Sequence, residues 1–206
     1  MARVVAEKVQ ATKIGLLEAA STVLHKDGYA GVSTRAVAAV AGVPMSQIQY
    51  HFGSKQGLLL ALFKHQNAQL LDRQQQMFDD PALTLSEQWK LACDYLDDDL
   101  ASGFVRVLNE LATAGWSDPV IGDAVREAIA GWIALLTDVA RHSCASLGGF
   151  GPFEPEDIAA LVSSAFMGAE MNILSGHENP KMPVRRALRR IGDMIEKIEQ
   201  TAAGGN

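Results

Sequence analysis

The chain has 206 residues, of which 48% are hydrophobic and 20% charged, and it contains two cysteines. This length and apolar content can build a sizeable core without disulfide bonds, and the composition excludes an intrinsically disordered protein. Two cysteines cannot supply a disulfide framework, so we expect a reducing compartment, the cytoplasm. We predict neither a signal peptide nor a contact with the membrane, because charges interrupt every long apolar stretch.

The net charge of −6 is distributed unevenly along the chain. Residues 1–64 contain seven Lys and Arg but only three Asp and Glu, whereas the remainder contains 11 basic and 21 acidic residues. Attraction of DNA requires a local positive field rather than a positive total. The N-terminal third is therefore the part of the chain that can bind a polyanion.

Apolar residues recur with helical spacing throughout, and no alternating strand pattern persists, so the predicted fold class is all-α with nine helices. The first helix ends at Gly28, which can cap it in the left-handed conformation. Ser33 caps a short second helix that ends near Val40. Pro44 begins a short third helix that ends near Tyr50.

A long fourth helix follows its N-cap, Ser54, and ends before Pro81. The seventh helix is apolar on two faces, which predicts a central position with burial nearly all round. The last helix has near-heptad apolar spacing, typical of a helix–helix seam. The remaining predicted helices begin close to Leu85, Phe104, Pro119, Pro155 and Pro183.

The second and third helices, joined by residues 41–43, form a helix-turn-helix pattern in which Gly42 reverses the chain. Gln side chains can pair with adenine edges, and hydroxyl, imidazole and ammonium groups suit phosphates. The alternative is a helical hairpin inside an all-α core. The candidate DNA-binding residues are Thr34, Arg35, Met45, Ser46, Gln47, Gln49, Tyr50, His51 and Lys55.

The same region resembles the DNA-binding domain of the TetR family of bacterial repressors. The resemblance extends over about residues 13–63 and rests on residues 33–43 (STRAVAAVAGV), 48–55 (IQYHFGSK) and 57–59 (GLL). It implies an N-terminal DNA-binding domain, residues 1–53, and a C-terminal effector-binding and dimerisation domain, residues 54–206. By position, Thr34 and Lys55 would contact phosphate.

The resemblance further implies a homodimer that binds a DNA operator and is released by a small molecule. Residues 45–47, 49 and 50 would face the groove. Two positions depart from the family pattern: Gln49 replaces the usual Tyr, and Pro44-Met45 replaces Ser plus a basic residue. We therefore expect Tyr50 to contact phosphate and Gln49 to read a base.

The two last helices, about 155–176 and 183–202, would build the four-helix bundle of such a dimer. Their wide apolar stripes independently favour association, because a monomer would expose them. Four arginines on the last helix form a basic strip, which we expect to pair with acidic residues of this subunit or its partner. These are Arg185, Arg186, Arg189 and Arg190.

A sensing site needs an apolar pocket with a few polar anchors. The Trp, Phe and Met content of the C-terminal part favours a lipophilic or aromatic effector, and ordinary core packing is the alternative for each residue. The candidate polar anchors are Asn109, Glu110, His142, Glu170 and Asn172. The candidate ligand-binding residues are Phe63, Trp89, Cys93, Phe104, Leu108, Trp116, Trp132, Phe166, Met167 and Glu170.

Two further functions remain open at this point. Cys93 and Cys144 could make the regulator redox-gated, and the chain could be an all-α ligand-binding protein or enzyme with a structural N-terminal hairpin. We predict no enzyme, because no nucleophile–base pair or phosphate loop is present. Asp94 and Asp98 share a helix face, but no His completes a metal site, so no metal and no cofactor are expected.

Overall fold

In the computed structural model, which describes residues 2–204 and the side chains of residues 7–203, the chain forms nine α-helices and no strand. Two isolated β-bridges lie in loops. The predicted all-α class is confirmed. The helices are α1 Ala2–Gly31, α2 Thr34–Ala41, α3 Ser46–Phe52, α4 Lys55–Phe78, α5 Leu85–Ser102, α6 Phe104–Ala114, α7 Pro119–Leu147, α8 Pro155–Leu174 and α9 Val184–Gly204.

The helix ends follow the signals in the sequence. Gly28 has left-handed geometry (φ 68°) and kinks α1 where its end was predicted, although one more helical turn continues to Gly31. The third helix begins at Ser46, two residues after Pro44. At the start of α8, Glu154 and Asp157 form a reciprocal capping box, which satisfies backbone N–H groups that the helix leaves free.

Residues up to Ala68 together with Ala101–Val125 form one compact unit. Its core is built from aliphatic residues of α1, α2, α3, α4 and α6, and the rings of Phe63 and Phe104 stack at 5.7 Å. Burial of these side chains provides the main stabilisation of the unit. The fully buried side chains include Leu16, Val23, Leu24, Val37, Ile48, Leu58, Leu62, Val105 and Val107.

A second compact unit contains Gln69–Leu100 and the chain from Arg126 onward. Cys93, Leu96, Phe166, Ala169 and Leu188 form its buried cluster, so α5, α8 and α9 pack together. The predicted seam of α9 lies here, because Leu188 is buried in the cluster and its apolar neighbours one turn away pack against it.

Ion pairs also join α5 to α9. Arg185 pairs with Asp97 and Arg189 with Asp94, both at 2.6 Å. Two arginines of the basic strip thus pair with acids of their own subunit, as expected.

Within residues 2–204 there is no group of three or more His, Cys, Asp or Glu that could hold a metal ion.

Both predicted apolar faces of α7 are buried or half-buried, but the prediction of burial nearly all round was wrong. Ile121, Leu135 and Leu136 are buried, but Ala130 and Ala134 are exposed to solvent. Alanine has too little apolar surface to require burial, so a stripe of alanines made the helix look more hydrophobic than it is.

By length and composition alone, α8 could cross a membrane, contrary to the prediction that no segment qualifies. A single helix of this kind is weak evidence for a membrane span, since core helices of soluble proteins have the same length and composition. One face of α8 is packed in the buried cluster through Phe166 and Ala169.

Candidate nucleic-acid interface and ligand site

The corner between α2 and α3 is held by capping and by buried anchors. The hydroxyl of Ser33 accepts a hydrogen bond from the backbone N–H of Ala36 at 3.1 Å, as its predicted N-cap role requires. Gly42 has φ 65°, a conformation that disfavours residues with a side chain. Val37 and Ile48 are fully buried, so both helices are fixed to the core from one side.

The third helix presents one continuous face to solvent. Met45, Ser46, Gln49 and Tyr50 are all exposed, and Tyr50 retains 73% of its accessible surface. They recur at the spacing of one helix face, opposite the buried Ile48. Two further candidates, Gln47 and His51, are half-buried at the flanks of this face.

The corner between α3 and α4 is equally tight. The hydroxyl of Ser54 accepts a hydrogen bond from the N–H of Gly57 at 3.0 Å, which confirms Ser54 as the cap of α4. A Cβ atom at Gly57 would lie 2.0 Å from the carbonyl oxygen of Phe52. Only glycine fits this approach, and it fixes α3 relative to the first turn of α4.

Phosphate-binding candidates surround the exposed face of α3. Arg35 and Lys55 are exposed, whereas Thr34 is half-buried at the first position of α2. The Nζ atom of Lys55 lies over the ring of Tyr29, 5.3 Å from its centroid. Between Asp27 and Asp72 the sequence has no Asp or Glu, so no carboxylate from this stretch opposes a phosphate.

The predicted ligand-binding residues divide between the two compact units. Phe63, Phe104 and Leu108 belong to the first unit, where Phe63 and Phe104 are core residues. Trp116 also lies in that unit but is 86% exposed, and Met167 faces outward from α8 in the second unit. Four of the ten residues thus lie in the first unit and six in the second.

Five of the ten lie in the second unit around one aromatic group. The rings of Trp89 and Trp132 meet Phe166 edge to face, with centroids 5.5 and 6.4 Å away. Cys93 is buried in the same cluster, and Glu170 follows Phe166 by one turn of α8.

Both indole N–H groups in this aromatic group have partners. Trp89 donates to the carbonyl of Leu188 at 2.7 Å, and Trp132 donates to the Oε1 atom of Gln74 at 2.9 Å. These hydrogen bonds fix the orientation of the rings.

A polar group in the same unit contains Arg73, Tyr95, Asp99 and Glu170. The Nη2 atom of Arg73 donates to both carboxylate oxygens of Asp99 at 2.9 Å, and its guanidinium lies 4.0 Å from the Tyr95 ring centroid. Burial is the main cause that raises the pKa of Asp99 to about 6, against the opposing effect of Arg73. Burial, followed by the charge of Asp99, raises the pKa of Glu170 to about 7.

Other candidate polar anchors bond to their own helices. Asn109 donates to the carbonyl of Val105 at 2.8 Å, and Asn172 donates to that of Gly168 at 2.7 Å. The Nδ1 atom of His142 lies 2.8 Å from the carbonyl oxygen of Asp138. Their polar atoms are therefore already engaged, which distinguishes them from Glu170.

Residues 16–62 match the family model for the bacterial regulatory proteins of the TetR family. This segment contains the helix-turn-helix of α2 and α3 together with the second half of α1 and the first turns of α4. Residues 16–62 are thus a DNA-binding segment of the TetR family type. The family resemblance found in the sequence is thus confirmed.

Solved structures of TetR-type regulators share the fold at low sequence identity. A TetR transcription regulator from Haloarcula marismortui has a TM-score of 0.71 at 16% identity, covering 90% of this chain and 96% of its own. FadR from Bacillus subtilis, solved with stearoyl-CoA, has a TM-score of 0.66 at 15% identity and coverages of 87% and 96%. The reduced form of NemR from Escherichia coli has a TM-score of 0.69 at 17% identity, with 88% and 95% covered.

Comparison with curated protein sequences found no significant match. At the identities seen among the solved structures, only the TetR-type fold is shared, and residue roles do not transfer from them. The contacts of this chain with DNA and effector therefore have to be argued from its own residues.

Sequence reasoning missed several residues that organise these sites in the TetR-type fold. Arg73 and Tyr95 carry no motif, and their contact depends on the packing of α4 against α5 in the second unit. Tyr29 was visible only as the residue after the helix-ending Gly28. Glu170, in contrast, was among the predicted ligand-binding residues, and it is the only ionisable residue between Asp157 and the end of α8.

Proposed function

We propose that this chain is a TetR-family regulator, a homodimeric repressor that binds a pseudo-palindromic operator through α3. The observation that carries this proposal is the exposed face formed by Met45, Ser46, Gln49 and Tyr50. A helix held at both ends by tight corners and anchored by a buried Ile48 can enter a major groove as a rigid unit. Gln49 then reads base edges, while Tyr50 and Lys55 contact the phosphate backbone.

The dimer is proposed to form through α8 and α9. Leu161, Met167 and Met171 on α8, and Met194 and Ile198 on α9, are exposed apolar side chains. A stable dimer of this type would bury roughly 2,000 Å² or more and remove these residues from water. Two-fold symmetry then places the two α3 helices in successive major grooves, about 34 Å apart.

The effector is proposed to be a lipophilic or aromatic molecule that binds the second unit beside Trp89, Trp132 and Phe166. FadR from Bacillus subtilis, a structural neighbour, was solved with stearoyl-CoA, an apolar ligand carried on a large polar group. In the present chain, Trp89, Trp132 and Phe166 form one aromatic group, and Glu170 lies one turn after Phe166 on α8.

Repression would be relieved because the effector favours a dimer geometry that misplaces the α3 helices. A ligand can shift this equilibrium only by its difference in affinity for the two geometries, about 1–3 kcal/mol in typical allosteric proteins. This proposal requires no catalytic step and places the protein in the cytoplasm, with its operator.

The decisive experiment is selection of duplexes from a random library by the full-length protein at about 150 mM salt, where non-specific phosphate binding is weak. We expect enrichment of an inverted repeat. The Gln49→Ala variant, selected in parallel, should enrich a repeat with relaxed preference at one position of each half-site. Failure of the unmodified protein to enrich any sequence would contradict the proposal.

A transcription assay then tests whether the protein represses or activates transcription. The selected repeat is placed over a promoter, and transcript is measured with and without the purified protein. Repression predicts less transcript when the protein is present, whereas more transcript would identify an activator.

A further inference from the structure

The carboxyl group of Glu170 has no partner in the part of the chain that the structure describes. It forms no hydrogen bond and no ion pair there, although its residue is only partly exposed. Its α8 neighbours Phe166 and Ala169 belong to the buried cluster of the second unit. An ionised Glu170 therefore lacks the hydrogen bonds or the ion pair that normally stabilise a buried charge.

The nearby cation does not neutralise Glu170. Arg73, on α4, gives its Nη2 hydrogen bonds to Asp99, on α5, and its guanidinium lies on the ring of Tyr95. The group therefore contains two carboxyl groups and one guanidinium, and it lacks one positive charge. The negative charge of Asp99 adds to burial in disfavouring ionised Glu170.

A second observation also indicates that this site is incomplete. The Nε atom of Arg73 is buried and has no hydrogen-bond partner among the described residues. A buried N–H donor is normally satisfied, so a water molecule or an acceptor atom that an effector carries apart from its charged group is expected at this position. The same group thus has an uncompensated carboxyl and an unused donor.

The aromatic residues next to Glu170 suit a cation. Phe166 lies one turn before Glu170 on α8, and Trp89 and Trp132 approach it edge to face. Aromatic faces attract organic cations, and Trp attracts them most strongly. Because both indole N–H groups already have partners, Trp89 and Trp132 would contact a ligand through their ring carbons rather than by hydrogen bonds.

We propose that the effector of this regulator is a lipophilic or aromatic organic cation, with Glu170 as its counter-ion and Trp89, Trp132 and Phe166 as its apolar contacts. The inference rests on the effector-binding role proposed above and adds the charge of the ligand. A fatty acid or another anionic amphiphile is disfavoured, because Glu170 and Asp99 would repel its head group.

Three probes of similar shape and different charge test this inference on the full-length protein. Benzyltrimethylammonium is a permanent cation, neopentylbenzene is its neutral isostere, and phenylmethanesulfonate is an anion. Binding is measured by calorimetry and by quenching of tryptophan fluorescence. We expect the cation to bind about tenfold more tightly than the neutral isostere, a difference equal to about 1.4 kcal/mol, and the anion to bind most weakly.

Glu170→Gln removes the charge and keeps the shape of the side chain. We expect this variant to lose about tenfold in affinity for the cation, equivalent to about 1.4 kcal/mol, and to bind the neutral probe as the unmodified protein does. Glu127→Gln is the matched control, because Glu127 is an exposed carboxylate on α7 of the same unit. Circular dichroism verifies that both variants are folded.

Several results would overturn the inference. These are equal or tighter binding of the neutral or anionic probe, no binding of any probe, or cation binding that is unchanged by Glu170→Gln. Operator release is measured separately with the duplex selected above. Cation binding that leaves the duplex bound would support the ligand chemistry and refute the effector role, so the two failures are distinguishable.

Discussion

The ammonium group of Lys55 lies over the ring of Tyr29, with 5.3 Å between Nζ and the ring centroid. Tyr29 follows the kink of α1 at Gly28, and Lys55 is the first residue of α4. Burial, and then the charge of Glu110, raises the pKa of Tyr29, so the ring remains a neutral phenol at pH 7. The contact restrains an exposed cation close to the end of α3, where a DNA backbone would pass.

Replacing Lys55 by Ala should weaken binding to all duplexes by a similar factor. A phosphate contact carries no sequence information, and each one contributes about 0.9 to the slope of log K against log salt. A dimer that loses Lys55 from both subunits should therefore show a slope smaller by about 2. Titration of specific and random duplexes at several salt concentrations measures both effects.

Lys64→Ala is the control for this charge change, because Lys64 is also exposed on α4 but lies three turns beyond the α3–α4 corner. We expect its salt slope to remain that of the unmodified protein. Equal slopes for Lys55→Ala and Lys64→Ala would refute a specific phosphate contact of Lys55.

Gln49→Ala should relax base preference at one position of each half-site. Gln49 is on the exposed face of α3 and can form two hydrogen bonds with adenine, a pair that provides about 1–3 kcal/mol of discrimination. Gln47→Ala should change preference less, because Gln47 is half-buried at the flank. Competition between single-base operator variants measures the change, and a larger effect of Gln47→Ala would reverse the assignment.

The N-terminal unit was readable from the sequence because its signals are local. Ser33, Gly42 and Ser54 each act within a few residues, through a cap or a left-handed turn, and the structure confirms all three. The exposed face of α3 follows from helical periodicity once Ile48 is recognised as its buried anchor. The matched family model covers residues 16–62, which lie within the stretch of about residues 13–63 where the sequence resembles the family.

The effector half was only partly readable, because its contacts join residues that are distant in sequence. Phe166 was identified by its type, but its edge-to-face contacts with Trp89 and Trp132 depend on how three helices pack. Likewise, no local pattern shows that Arg73 is committed to Asp99 and leaves Glu170 without a partner. Trp116 was chosen as a pocket candidate by its residue type alone, and its side chain is exposed.

Glu170→Gln should stabilise the protein at pH 8. Since the pKa of Glu170 is raised from 4.5 to about 7, the folded protein retains a proton that the unfolded chain has released. The free energy of unfolding therefore decreases as the pH rises from about 4.5 to about 7. Removing the ionisable group should raise the free energy of unfolding at pH 8 by up to about 3 kcal/mol, since each pKa unit corresponds to about 1.4 kcal/mol.

Denaturant unfolding at pH 5 and pH 8 measures this difference. At pH 5 the variant and the unmodified protein should be nearly equal, because Glu170 is protonated in the folded state. A smaller pH dependence should persist in the variant below about pH 6, since the pKa of Asp99 is also raised, to about 6. If Glu170→Gln is less stable than the unmodified protein at pH 8, a partner in the folded protein stabilises the negative charge of Glu170.

Leu161→Glu should convert the dimer into monomers. Leu161 is 58% exposed on α8 and would be buried in the proposed interface, where two symmetry-related carboxylates have no counter-ions. Val120→Glu is the matched control, because Val120 is 68% exposed on α7 of the first unit and lies outside the proposed interface. Sedimentation at micromolar concentration distinguishes the two, and a dimer that survives Leu161→Glu would place the interface elsewhere.

We predict that oxidants affect operator binding equally in the unmodified protein and in the variant that combines Cys93→Ala with Cys144→Ser. Cys93 is buried, and burial raises the pKa of its thiol to about 11, so very little of the reactive thiolate exists at pH 7. Both cysteines are free thiols, and Cys144 is only partly buried. DNA binding is measured before and after treatment with diamide, in the variant and in the unmodified protein. The two proteins should respond alike, whereas loss of binding only in the unmodified protein would establish the redox-gated alternative.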